Sequence, residues 1–496
     1  MNPTLLQKFL ALVLLSFVPI VGAGEVARSQ TVIQQPASQS QTIDQLIQQL
    51  KTGNEQSRSA AAKALGKMGE SAKSAIPSLI SLLKDSDKKV PFSSTVQVSA
   101  AEALGKIGVS AIPSLIPLLK DPDIEVWGFA AYALGKIGAP AMPSLIPLLK
   151  DSDATVRRAA ADALGTMGET AKPAIPSLLP LLKDLDAEVR YSAASAFGQM
   201  GDLGKSAIPD LIPLFKDPNE RIRRRGAASA LGKIGPSAIP SLIPFLKDSD
   251  AELRYLAAFA LGTMGSSAKS VMPDLILLLK DSDSHVQQTA ALSLGYMGES
   301  AKSAIPNLIV LLKESEMGVQ QMTASALGKI GPSAIPNLVP LLKDLNPRVR
   351  ESAASALGEI GESAKSAIPS LIPLLKDSDA QVRSNAASAL RQMGESAKSA
   401  IPSLIPLLKD SDKYVRLSAA YTLGKMGESA KSAIPSLIPL LKDSDKRVRR
   451  SAAFVLGELG ESAKPAIPSL IPLLKDSDWE VQYASSEALN KLGYKP

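Results

Sequence analysis

The chain has 496 residues, 55 of them Lys or Arg against 48 Asp or Glu, a formal charge of +7, and it is 45% hydrophobic but only 4% aromatic. So small a surplus, with both signs mixed along the chain, calls for neither a nucleic-acid partner nor a membrane surface. Cysteine is absent, which excludes disulfides and thiolate chemistry.

At the N-terminus, Lys8 precedes an apolar run over 9–21, broken by Pro19 and followed by Gly22 and Ala23. Val21 and Ala23 stand at the two positions that a signal peptidase reads. The run is shorter than the roughly 20 residues that span a bilayer. The expectation is a signal peptide over 1–23 and a periplasmic or secreted chain; the alternative is an uncleaved anchor. No cysteine follows the run, so lipoprotein processing is excluded. Residues 24–41 are polar, aperiodic and rich in Gln and Ser, as in a disordered linker.

From residue 42 onward the chain repeats itself. An Ile-Pro or Met-Pro step recurs at Pro77, Pro113, Pro143, Pro176, Pro209, Pro240, Pro273, Pro306, Pro336, Pro369, Pro402, Pro435 and Pro468, usually 33 or 30 residues apart. A degenerate first copy begins at Ile43. Such a period marks a stacked-repeat architecture. In the copy around Pro369, Ile368, Leu371, Ile372, Leu374 and Leu375 recur at helical spacing, and Pro369 suits a first turn, where its missing N–H has no partner anyway. Pro373 lies deeper and predicts a bent first helix. Asp379 is placed to cap a second helix that ends at Gly394, and most other copies carry an LGxxG pair there. Each copy is therefore an αα-hairpin that cannot bury its apolar face alone.

Four copies shorten the connection to the next hairpin by three residues, as at Gly235 and Gly331. Repeat two has six extra residues near Pro91 and Phe92 in 88–94, predicted to protrude as a loop. Repeat six has one extra residue within 221–225. Polar substitutions in the first copy (Gln45, Gln48, Gln49) and the last (Ser485, Ser486, Glu487, Asn490) are those expected of terminal caps.

The pattern D-x-x-x-x-V-R-x-x-A-A-x-A-L-G-x-I/M-G, over 151–168 and again over 443–460, resembles the HEAT family, and within it the bacterial repeats of phycobilisome-lyase type. The resemblance covers about residues 42–496. It implies an all-α fold, a right-handed α-solenoid of about fourteen helix pairs, whose second helices line the concave surface. It also implies a ladder of Asp–Arg bonds between successive copies. Counting from the Val that opens each second helix, position +1 is Arg157, Arg190, Arg254, Arg350, Arg383, Arg416 and Arg449, each six residues after an acidic residue of the turn such as Asp151, Asp377 or Asp443.

The Val and positions +4, +7, +8 and +11 share one side of the helix and form the predicted core. Positions +2, +6 and +10 point the opposite way, and there the copies stop agreeing. They hold Tyr132, Tyr191, Tyr255, Phe259, Tyr296, Tyr421, Phe454 and Tyr483, with Arg158, Arg225 and Arg450 among them. Eight of the chain's 19 aromatics at three positions of a 33-residue period is far above their share. Tyr and Arg concentrate binding energy at interfaces, so these residues are read as a groove for a protein or peptide. The competing reading is that aromatics are displaced outward from tight Ala-lined interfaces. At position +3, Phe129, Leu256 and Met322 are expected to pack. The first helices show Ser, Pro and Lys on their outer side in copy after copy, a poor surface for a specific contact.

For catalysis the inventory is thin. His285 is the only histidine and is expected at the surface. HEAT-like deoxyhypusine hydroxylases hold two irons through His-Glu pairs, and this sequence has none. Two carboxylates per turn fall short of the six to eight oxygens around calcium. No nucleophile elbow, P-loop or dinucleotide motif occurs. The expectation is a non-enzymatic binding scaffold without a cofactor; the resemblance also suggests a bilin lyase or phycobilisome-associated factor, and the near-identical later copies a structural spacer of the envelope.

Overall fold

The computed structural model describes residues 43–84 and 95–494. The expected leader, the linker and the insertion near Phe92 lie outside the described residues. The chain divides into two compact units, Met1–Ala238 and Ile239–Pro496. The described residues of both are α- and 3-10-helical hairpins with no strand, an all-α solenoid of the expected kind.

Within a copy the local chemistry is legible. In the first helix, Ile368–Leu371 forms one α-turn and Ile372–Lys376 continues as 3-10 helix. Pro373 removes the N–H that an α-helix needs at that point, and the chain tightens instead. Where Ser81 or Val310 replaces this second proline, the α-helix runs through, over Ile76–Leu83 and Ile305–Glu314. The turn follows as read. Asp379 accepts hydrogen bonds from the N–H groups of Gln381 and Val382 at 2.8 and 3.1 Å and caps Ala380–Met393.

Val382, Ala386, Ala389, Leu390 and Met393 are all buried against Leu371, Leu374 and Leu375, so the core positions are those expected. Second helices of neighbouring copies pack directly on each other, because the first Gly of the LGxxG pair permits it. A Cβ on Gly358 would lie 2.9 Å from Ala389 Cα. The second Gly turns the chain: Gly361 has φ +70°, open to glycine without strain. The segment after it, Gly361–Ala367, is a 3-10 turn kinked at Ala364. Ala364 and Ala367 are both fully buried.

Arginine at +1 joins successive copies. Arg350 donates Nε–H and Nη2–H to the two carboxylate oxygens of Asp377 at 2.8 and 2.7 Å. Its Nη1 donates back to the carbonyls of Asp344 and Leu345 in its own turn, at 2.8 and 3.1 Å. The same step joins Arg157 to Asp184, Arg190 to Asp217, Arg254 to Asp281, Arg383 to Asp410, Arg416 to Asp443 and Arg449 to Asp476. Burial pushes the Asp377 carboxyl up, but Arg350 and the Asp379 N–H more than offset it and hold it below the usual carboxylate range. Before two of the four shortened connections +1 is Trp127 or Gln320, and there the next turn's aspartate pairs with a first-helix lysine instead, Lys120 to Asp151 at 3.1 Å and Lys313 to Asp344 at 3.7 Å.

The extra residue of repeat six is absorbed in a π-helical turn over Ile222–Ala228. One expectation changes. In the last copy Ser485 is not part of an exposed cap: it is fully buried and its hydroxyl donates to the Leu470 carbonyl at 2.7 Å.

Candidate functional site

The outward positions do not share one environment. In the first unit Tyr191 is only 5% exposed, which corrects its assignment to the groove. The π-turn sets Gly226 against its ring, where a Cβ would sit 3.7 Å from Tyr191 Cδ2, and the Arg221 guanidinium lies 4.0 Å from the ring centroid. Burial raises the phenol's pKa, against the nearby Arg221 charge. Arg158 is also corrected. It stacks over buried Trp127 at 5.0 Å and pairs with Glu188 at 3.3 Å, and that carboxylate also receives Arg221 at 2.7 Å. Both side chains are tied into a packed cluster and are not free to meet a partner. Tyr132 is half-buried beneath Lys136, 5.2 Å from its centroid, and Arg225 is exposed. Phe129 and Leu256 pack as expected and Met322 is half-buried.

In the second unit Tyr255 and Phe259 are half-buried and stacked, centroids 6.3 Å apart. Tyr296 is exposed near Lys329. The last four copies gather outward residues into clefts. Tyr421, Arg450, Phe454 and Tyr483 line a cleft of about 450 Å³ together with Trp479. Tyr421 also lines an adjoining cleft of about 550 Å³, whose walls include Arg391, Tyr414 and Arg447 and whose floor holds Ser384, Ser388 and Ser418. The two clefts follow the second helices Ala380–Met393, Lys413–Lys425, Lys446–Glu458 and Trp479–Lys491.

Phe454, Tyr483, Trp479 and Tyr414 are 48, 63, 71 and 51% exposed, a run of aromatic surface rarely left open without use. Arg447 lies over the Tyr414 ring at 5.2 Å and pairs with Asp445 at 3.1 Å, which holds that carboxyl far below its usual range. Arg450 pairs with Glu480 at 2.7 Å. Arg391 makes no ion pair among the described residues. The walls can therefore take apolar or aromatic side chains, and Arg391 can take a carboxylate.

Arg391, Tyr414, Arg447 and Trp479 were not expected here. Arg391 had a visible signal, because it stands where most copies have the first glycine of LGxxG. The other three lie just before the helix-opening Val, outside the +2, +6, +10 register. His285 is exposed, 3.7 Å from Asp283. Among the described residues no group of three His, Asp or Glu could hold a metal ion.

The sequence model for HEAT repeats matches in overlapping stretches from 29–92 through 43–119 and 239–319 to 434–496. The chain belongs to the HEAT-repeat family. No curated protein matches it. Among solved HEAT-like solenoids, importin beta aligns at 15% identity and TM-score 0.47, over 90% of this chain and 72% of that one. Kap121p bound to Pho4p aligns at 17% and TM-score 0.50, over 91% and 57%. An engineered protein aligns at 23% and TM-score 0.32, over 85% and 99%. At these identities the likeness concerns the fold.

Proposed function

We propose that this HEAT-repeat protein is a non-enzymatic scaffold that binds a segment of a protein partner in the aromatic groove of its last four copies. The observation that carries the reading is the continuity of the two clefts through Tyr421, with open aromatic rings on their walls and an unpaired Arg391 at the rim. The ligand is an extended or helical segment with an apolar or aromatic anchor close to an Asp or Glu. Kap121p, which has this fold, was solved with Pho4p bound. In the second unit the closeness of second helices, as at Gly358 and Ala389, supports a concave side there, since the crowded side of a curved row is the inner one.

The test is selection of peptides carrying one Phe or Leu near one Asp or Glu on the full chain, followed by titration. Tyr421→Ala with Phe454→Ala is expected to weaken the selected peptide by about tenfold or more, the size of a hot-spot loss. Melting should change little. Equal binding by the double variant, or no selection over scrambled peptides, contradicts the reading. The lyase alternative instead requires chromophore transfer to a phycobiliprotein in a reconstituted mixture, and the scaffold requires none. We also propose, from residues 1–23, that the partner is met after export; recovery of the chain in the cytoplasmic fraction alone removes that element.

A further inference from the structure

A cleft of about 870 Å³ lies away from the aromatic groove, at the turns of two neighbouring copies in the second unit. It marks a fault in the arginine ladder. Wherever the connection is full-length and the ladder intact, one guanidinium fills this space, bonding two carbonyls of its own turn and both oxygens of the aspartate 27 residues on. At the fault, +1 is Gln287 and the residue 27 further on is Glu314. Gln287 keeps a single bond, from Nε2 to the Asp281 carbonyl at 2.8 Å. It does not reach Ser282 O, which an arginine would engage, and Glu314 pairs with no cation among the described residues. Gln482 makes the same single bond to the Asp476 carbonyl at 2.7 Å. Gln287 thus breaks the ladder between the Arg254 and Arg350 steps.

The space left open is suited to what is missing from it. Glu314 and Glu316 line it without ion pairs among the described residues, against Lys280, while His285 on the same wall lies 3.7 Å from Asp283, so it favours a cation. Val310, where most copies have proline, adds an apolar wall that is 48% exposed. A planar guanidinium satisfies a carboxylate and a carbonyl at once, which an ammonium does less well. We propose that this cleft docks an arginine side chain of a partner protein, flanked by an apolar residue that rests on Val310, and that this arginine completes in trans the ladder step that Gln287 leaves open.

The full-length chain is titrated by fluorescence anisotropy with a labelled peptide carrying one arginine between two leucines, and with its citrulline counterpart. The arginine peptide is expected to bind about tenfold tighter or more, as for a charge-assisted pair. Gln287→Arg rebuilds the step in cis; it should raise the melting temperature and abolish that preference. Glu314→Gln should leave melting nearly unchanged and equalise the two peptides. Equal affinity of the two peptides for the unaltered chain, or undiminished arginine binding in Gln287→Arg with melting raised, overturns the proposal.

Discussion

Replacing Leu357 with alanine is expected to cost about 2–5 kcal/mol and to act locally. Leu357 is fully buried in the second helix Pro347–Ile360, at the +8 position that every copy uses to fill the space beneath its neighbour. A hairpin touches only the hairpins before and after it, so a cavity there weakens one copy and its two interfaces. Hydrogen exchange should speed up first in 335–361, then in the flanking copies over 305–330 and 368–394, while 434–493 keeps its protection. Equal loss of protection along the whole second unit would show that the copies unfold as one body and not by nearest-neighbour stacking.

The same locality explains what could be read in advance. Val382, Ala386 and Leu390 were legible because a 3.6-residue period assigns them to one side of their own helix. Asp379 was legible because the cap spacing recurs from copy to copy, and the ladder role of Arg350 through the resemblance to the HEAT family. A surface position is different, since its exposure depends on the next copy. Tyr191 and Tyr255 hold the same place in the period, yet Tyr191 is covered because repeat six absorbs its extra residue in a π-turn that brings Gly226 and Arg221 against the ring. The insertion was visible; where the backbone would place it was not. The groove shows the converse: Tyr421, Phe454 and Tyr483 were in register, but Arg391 and Trp479 belong to the site through departures from the repeat. In a chain this regular, function is better sought in broken consensus than in consensus, as Gln287 also shows.

Acid should dismantle the array through the ladder. Asp184, Asp281, Asp377, Asp410 and Asp476 are all held below the usual carboxylate range by their arginines, in each case against an opposing push from burial. A carboxyl whose pKa falls on folding stabilises the fold at pH values above its unfolded pKa, near 4, and that contribution is lost as pH falls through the lower folded value. A tenfold change in proton affinity is worth about 1.4 kcal/mol per group, and five groups share this sign. Melting temperature is therefore expected to be flat from about pH 7 to 5 and to drop steeply below about pH 4, with protons taken up on unfolding. Added salt should do little to the plateau, because the partners are mostly shielded, at 14 and 11% side-chain exposure for Arg350 and Asp377. Asp377→Asn should lower the plateau by about 1.5–3 kcal/mol and make the acid limb shallower, since one group of the set no longer titrates. An acid limb unchanged in slope by that substitution would assign the transition to carboxylates outside the ladder.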